Sequence, residues 1–202
     1  MKRPHRTGPT RRYSQQLLLT IEPPRFLREA LVRERKKWRK QLEQDARWVP
    51  ALALHLTLRH LGELEVSKSK LLSKKLTSAV AGIEPFQVSL AGLAGYPSLD
   101  QARTLFLDVN QCKPLKALLG AVEGCCRQLA LGKAKHPFES RIVLARCKEP
   151  QSFAELELPP ELLGFTVRSV SLLESRSGQN GLTLHPLRRF ELGSATNAEA
   201  IQ

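Results

Sequence analysis

The sequence predicts an α+β fold, with a mixed α/β domain as the alternative, and three observations carry that prediction. Stretches with two-residue apolar alternation interleave with stretches of helical spacing, in the order strand, helix, strands, helix, strands, helix, strands. Asn180-Gly181 lies between two apolar runs near the end and is a strong hairpin signal. The chain has 202 residues, of which 42% are hydrophobic, enough to bury a sizeable core; with only 5% aromatic residues, Leu, Val and Ala must fill it.

Each element has a local reason. Residues 1–12 hold Lys2, Arg3, Arg6, Arg11 and Arg12 among Pro and Gly, the composition of a disordered basic arm. Residues 13–21 read as a strand, ended by Glu22-Pro23-Pro24, and Pro24 suits the first turn of a helix. Leu27, Leu31, Trp38 and Leu42 then form one apolar stripe. The other faces of that helix carry Arg28, Arg33, Arg35, Lys36, Lys37, Arg39 and Lys40, either a solvated surface or a landing surface for phosphates. Residues 46–49 lead through Pro50 into a strand around His55. Residues 67–81 make a Lys-rich helix with Leu72, Leu76 and Val80 inward, and residues 86–93 make a strand running to a Gly95-Tyr96-Pro97 turn. Residues 103–109 form another strand. Residues 112–131 form a third helix with Leu115, Leu118, Val122 and Leu129 on one face. The basic loop Lys133-Ala134-Lys135-His136-Pro137 precedes a strand over residues 141–147. A Pro- and Glu-containing connector runs to Pro160, and residues 165–173 and 182–192 are expected to pair as the closing hairpin. Residues 13–193 thus read as one domain, with residues 194–202 a frayed tail.

Charge and motifs narrow the function. A net charge of +13 implies an anionic partner, most economically nucleic acid, against the plainer reading of a solvated basic surface. No apolar run is long enough to span a bilayer, and no apolar signal core follows the basic start, so the expectation is a cytoplasmic protein without membrane contact. Cys112, Cys125, Cys126 and Cys147 show no C-x-x-C pair, which fits neither a zinc site nor a disulfide framework and suits reduced thiols. The dinucleotide fingerprint, Walker loop, HExxH and GxSxG motifs are absent. A monomer needing no metal or cofactor is expected.

The chemistry-bearing stretch is Leu54-His55-Leu56-Thr57-Leu58-Arg59-His60-Leu61-Gly62. Strand side chains alternate between faces, so His55 and Thr57 project together while Leu54, Leu56 and Leu58 enter the core. An imidazole and a hydroxyl fixed side by side can move a proton and hold a phosphate oxygen. A lone His and Thr on a strand are also compatible with a merely structural role. By strict alternation His60 falls on the opposite face and is expected to be a partly buried structural histidine.

This block, with Ala46-Arg47-Trp48-Val49-Pro50 before it, resembles the first HxT block of the 2H phosphoesterase superfamily, and within it the bacterial RNA 2′,3′-cyclic phosphodiesterases, also called 2′-5′ RNA ligases. Glu22-Pro23-Pro24, residues 86–98, Phe138 to Arg146, Phe165-Thr166-Val167, Leu172-Leu173-Glu174-Ser175 and Leu187-Arg188-Arg189-Phe190 resemble further landmarks of the family in order and spacing. The resemblance implies two pseudo-symmetric lobes of mixed sheet with flanking helices, and one HxT strand from each lobe facing a shared groove. Opening a cyclic phosphate needs a base for the attacking water and an acid for the leaving ribose oxygen, on opposite sides of the phosphorus. The resemblance therefore assigns His55 and Thr57 to catalysis.

The second block departs from the pattern. It reads Arg141-Ile142-Val143-Leu144-Ala145-Arg146, with Arg where the second His belongs and Val where the second Thr belongs. Leu184 stands where the family often has a tyrosine. A guanidinium does not exchange protons near neutral pH, but its fork matches phosphate oxygens. Arg141, and Arg146 despite its parity being out of step with Arg141, are the expected substrate-binding cations. His136 in its loop and His185 on the last strand are weaker candidates for the missing histidine. Trp38, Trp48 and Phe138 are expected in packing rather than base stacking. Two main functions follow: a phosphodiesterase opening RNA 2′,3′-cyclic ends to 2′-phosphates with weakened or altered activity, or a non-catalytic module that grips an RNA end or nucleotide phosphate. A scaffold resting its basic helices on a larger RNA assembly is the third.

Overall fold

The computed structural model describes residues 14–42, 46–178 and 181–193; the basic arm and the frayed tail expected at residues 1–12 and 194–202 lie outside the described residues. The elements are β1 (Ser14–Ile21), α1 (Arg25–Trp38), β2 (Arg47–Trp48), a 3-10 turn (Ala51–Ala53), β3 (Leu56–Glu65), α2 (Val66–Ala81), β4 (Phe86–Tyr96), β5 (Ala102–Val109), α3 (Lys113–Gln128), β6 (Arg141–Gln151), β7 (Gly164–Val167), β8 (Ser169–Gly178) and β9 (Gly181–Glu191). This is the α+β architecture of strands and three helices that the sequence predicts.

The strands follow the order β7-β4-β5-β6-β3-β1-β8-β9, with β2 added beside β6. Every neighbouring pair is antiparallel. The path divides into two halves of four strands. They meet where β3 touches β6, at one rung, Leu56 against Ile142. Both residues of that rung are fully buried.

The helical stripes go where the periodicity puts them. Leu72, Leu76 and Val80 of α2 and Leu115, Leu118 and Val122 of α3 are fully buried, in one core with Leu56, Leu105, Leu107 and Ile142 of the strands. On α1, Leu27, Ala30, Leu31 and Trp38 are buried, and the Trp38 ring stacks on Trp48 at 6.0 Å between centroids. The aromatic pair is thus packing, as expected, although Trp48 also reaches the cleft described below. The four cysteines are free thiols. Burial pushes the Cys126 thiol up to about 11, so it fills the core rather than reacting.

Two strand expectations need correction. Residues 165–173 are not one strand: the chain breaks at exposed Arg168, β7 pairs with β4, and β8 pairs with β1 and β9. Both pieces are apolar, with Phe165, Val167, Val170 and Leu172 all buried, but they are buried in opposite halves of the sheet. Local pattern cannot show such a change of partner. The closing hairpin is therefore β8–β9, which narrows to Gly178 opposite Gly181 around the predicted turn. Strand β6 also runs on to Gln151, pairing with β5 there. Among the described residues, no helix is long and apolar enough to cross a membrane, and no group of His, Cys, Asp and Glu is arranged to hold a metal ion.

Candidate active site

His55 sits one residue ahead of β3, and Leu54, Leu56 and Leu58 are buried as the alternation requires. His55 and Thr57 are half-buried and line a cleft of about 1180 Å³. Arg141, Val143 and Arg146 of β6 line the same cleft. All four predicted site residues are thus brought together. The Leu56–Ile142 rung explains why: in antiparallel pairing the flanking residues face each other, His55 beside Val143 and Thr57 beside Arg141. The His55–Arg141 diagonal then spans about 7–8 Å between side-chain roots, room for a phosphate group.

The His55 ring is anchored. Its Nδ1 lies 2.7 Å from the Ala53 carbonyl oxygen. A carbonyl only accepts, so Nδ1 carries the hydrogen and Nε2 keeps its lone pair. Burial lowers the His55 pKa most strongly; the Ala53 bond and Glu22 oppose that shift, while His60 reinforces it. The imidazole is consequently neutral near pH 7, the state in which it can accept a proton.

Arg141 is less free than a bare cation. Its guanidinium pairs with Glu139 and lies 4.9 Å over the Phe106 ring. Arg146 is exposed and pairs in register with Arg47 of β2, another lining residue. Two like charges directly opposite across a ladder repel, and an anion between them relieves that repulsion. Lys133 and Lys135 also line the cleft from the basic loop.

Strand parity fails at several places, two of which shape the site. Thr20 pairs with Thr57 but Leu19 with Arg59, so Leu58 is an extra residue and the alternation resets. Arg59 turns inward, 4% exposed, and binds the Glu123 carboxylate and the Gly132 carbonyl oxygen at 2.9 Å. His60, expected on the opposite face as a partly buried structural histidine, is instead exposed and lines the cleft. On β6, Val143 pairs with Phe106 and Ala145 with Leu105, which makes Leu144 extra and returns Arg146 to the face of Arg141. Gly62, at φ +70°, marks a separate shift in β3, where Leu17 faces Gly62 and Leu18 faces His60, leaving Leu61 extra; neither Leu58 nor Leu144 has a glycine beside it.

Of the other candidates, His136 lines the cleft from its exposed loop, as does half-buried Phe138. His185 does not; its Nε2 lies 3.1 Å from the Thr183 hydroxyl, while its neighbour Leu184 lines the cleft. Arg47 and the basic-loop residues Lys133 and Lys135 were noted in the sequence but not assigned to the site, because in a chain of +13 a basic residue carries little positional signal of its own.

Comparison with known proteins agrees with this fold. The family model for LigT-like phosphoesterases matches residues 21–106, which include the His55 block. An RNA 2′,3′-cyclic phosphodiesterase of Aeropyrum pernix is 28% identical over 131 residues, covering 64% of this chain and 73% of that protein. One of Geobacillus stearothermophilus is 28% identical over 99 residues, covering 49% of this chain; the match spans only 32% of that longer protein. Among solved structures, Escherichia coli LigT in its apo form gives a TM-score of 0.74 at 23% identity, over 89% of this chain and 98% of that one. A Thermus thermophilus protein gives 0.76 at 23% identity, over 88% and 98%. At that identity the structural likeness establishes the fold. The family model lies over the block that places His55 and Thr57 in the cleft, so across residues 21–106 the chain is similar to LigT-like phosphoesterases, and it shares their fold.

Proposed function

We propose that this protein is a phosphodiesterase that opens terminal 2′,3′-cyclic phosphates of RNA to 2′-phosphates, more slowly than a site with two intact HxT blocks. The observation that carries this reading is the anchored His55 ring, neutral and with Nε2 free, across the cleft from Arg141. His55 takes a proton from the attacking water. The Thr57 hydroxyl and the Arg141 and Arg146 guanidinium groups hold the non-bridging oxygens, where charge grows in the transition state. The relatives named RNA 2′,3′-cyclic phosphodiesterase support this substrate class. Complexes of E. coli LigT with 3′-AMP, ATP, NADP+ and phosphate support a nucleotide-phosphate ligand. The β6 strand supplies no second proton carrier, and losing one general acid or base costs about 10²- to 10⁴-fold in rate.

A second reading has its own observation: Arg141 and Val143 replace the β6 histidine and threonine, which suits gripping a phosphate better than turning it over. One experiment separates the two. Purified protein is incubated with a 2′,3′-cyclic nucleotide, with His55→Ala as control. Release of the 2′-phosphate that falls by at least about 10²-fold in the variant supports the enzyme. No turnover above buffer, with retained binding of phosphorylated RNA ends, supports the binding module instead.

A further inference from the structure

We propose that His60 is the second proton carrier of this site, donating to the leaving ribose oxygen. The inference rests on the phosphodiesterase reading above and names the residue that completes it. It also moves the acid from β6 to β3.

The bulges make the two walls of the cleft unlike in chemistry. Strand β3 presents His55, Thr57 and His60; strand β6 presents Arg141, Val143 and Arg146 at the matching positions, each wall with its extra residue after the second of the three. Guanidinium groups hold their protons throughout the neutral range, so the β6 wall can bind an anion but not exchange a proton with it. The carboxylates that reach the cleft are committed, Glu123 to Arg59 and Glu139 to Arg141. That leaves His60 and His136 as the imidazoles available beside His55 among the described lining residues. His60 is held on a paired strand, in register with Leu18. His136 lies in an exposed loop between Lys135 and Pro137, outside any strand. Preorganisation favours the strand residue.

The spacing suits in-line chemistry. Five residues of strand span about 16 Å, somewhat less across a bulge. Imidazoles that reach several ångströms from their strand positions close that span to the size of a phosphate with its attacking and leaving oxygens when both lean toward it. His55 and His60 lie close enough for each to feel the other's charge, as do His60 and His136. Partial burial first and His136 second lower the His60 pKa, so the fraction of His60 that carries the proton to donate grows as the pH falls below 6.5.

The step balances. Water oxygen forms a bond to phosphorus, and the bond from phosphorus to the ribose 3′ oxygen breaks. One water proton passes to His55 Nε2, and one proton passes from His60 to the 3′ oxygen. The products are the 2′-phosphate and a 3′ hydroxyl, and the two imidazoles return to their starting states by exchange with solvent.

The test compares leaving groups. A ribose oxygen needs a proton as it departs; p-nitrophenolate does not. The full chain, His60→Gln and His136→Gln are assayed on a 2′,3′-cyclic nucleotide and on a nucleoside p-nitrophenyl phosphodiester. His60→Gln is expected to lose about 10²-fold on the cyclic nucleotide and less than about threefold on the nitrophenyl ester, with His136→Gln near the wild type on both. His60 is exposed, so its replacement leaves the packing intact, which a thermal melt verifies. Equal losses of the His60 variant on both esters, or no loss on either, overturn the proposal; so does the leaving-group-dependent loss appearing in the His136 variant. A wild-type chain inert to both esters overturns the phosphodiesterase reading and this role with it.

Discussion

At the scale of single residues, His55 joins the fold to the chemistry. Its ring is oriented by a backbone carbonyl, and burial outweighs the lift that this bond and the Glu22 charge give to its basicity. The resulting depressed pKa has a signed consequence for stability. Above the unfolded-state value near 6.5 both states hold neutral imidazole, and the contribution of His55 is fully present. As the pH falls from 6.5 through the lower folded-state value, the unfolded chain takes up a proton that the folded chain refuses, and stability is lost. His60 strengthens the shift, while Glu22 and the Ala53 carbonyl weaken it. The expected outcome is a melting temperature that drops more between pH 7 and 5 for the wild type than for His55→Gln. Parallel melting curves for the two proteins across that range would remove this account. With His55 as the base of the proposed reaction, the same shift keeps it neutral, so the acid limb of kcat/KM is expected below pH 6.5.

At the scale of elements, the bulge in β3 does two things at once. It buries Arg59 against α3 and turns His60 toward the cleft. The Arg59 guanidinium is nearly inaccessible and rests on the half-exposed Glu123 carboxylate and the Gly132 carbonyl oxygen. Removing the carboxylate leaves a buried charge uncompensated. Glu123→Gln is therefore expected to cost about 3 kcal/mol, read from the urea midpoint. The double variant Arg59→Met with Glu123→Gln should recover much of that loss, since an apolar side chain needs no partner there. A single variant as stable as the wild type would mean that the pair does not hold the bulge. The basic loop that follows α3 is tied to β3 through the same Gly132 contact, which ties the placement of His136 and Lys133 to the strand that carries His55.

At the scale of the whole molecule, two four-stranded halves meet at one buried rung, and the cleft straddles that seam. Placing Arg47, Arg141 and Arg146 on one wall and histidines on the other concentrates part of the +13 charge where a phosphate chain would lie. Counterion release then predicts the salt response of binding. If those three guanidinium groups each neutralise one phosphate of a single-stranded RNA end, the log of the association constant falls with a slope of about −2 against log salt. Arg146→Gln should flatten that slope by about 0.7. Fluorescence anisotropy with a phosphorylated oligonucleotide measures both, and a salt-independent affinity would rule out the cationic wall as the binding surface.

The residue pattern alone determined the three helices, the inward leucines flanking His55, the Asn180-Gly181 hairpin and the replacement of a histidine and a threonine by Arg141 and Val143. These are local properties: period, turn chemistry and residue identity do not depend on distant neighbours. Tertiary structure decided which half of the sheet received residues 164–167, and it decided that His60 and Arg146 face the cleft. Counting in twos along a strand holds only while each residue has a partner opposite. Leu58 and Leu144 have none, and each resets the alternation from that point. A bulge belongs to the register of two strands far apart in sequence, so no local pattern around Leu58 or Leu144 announces it.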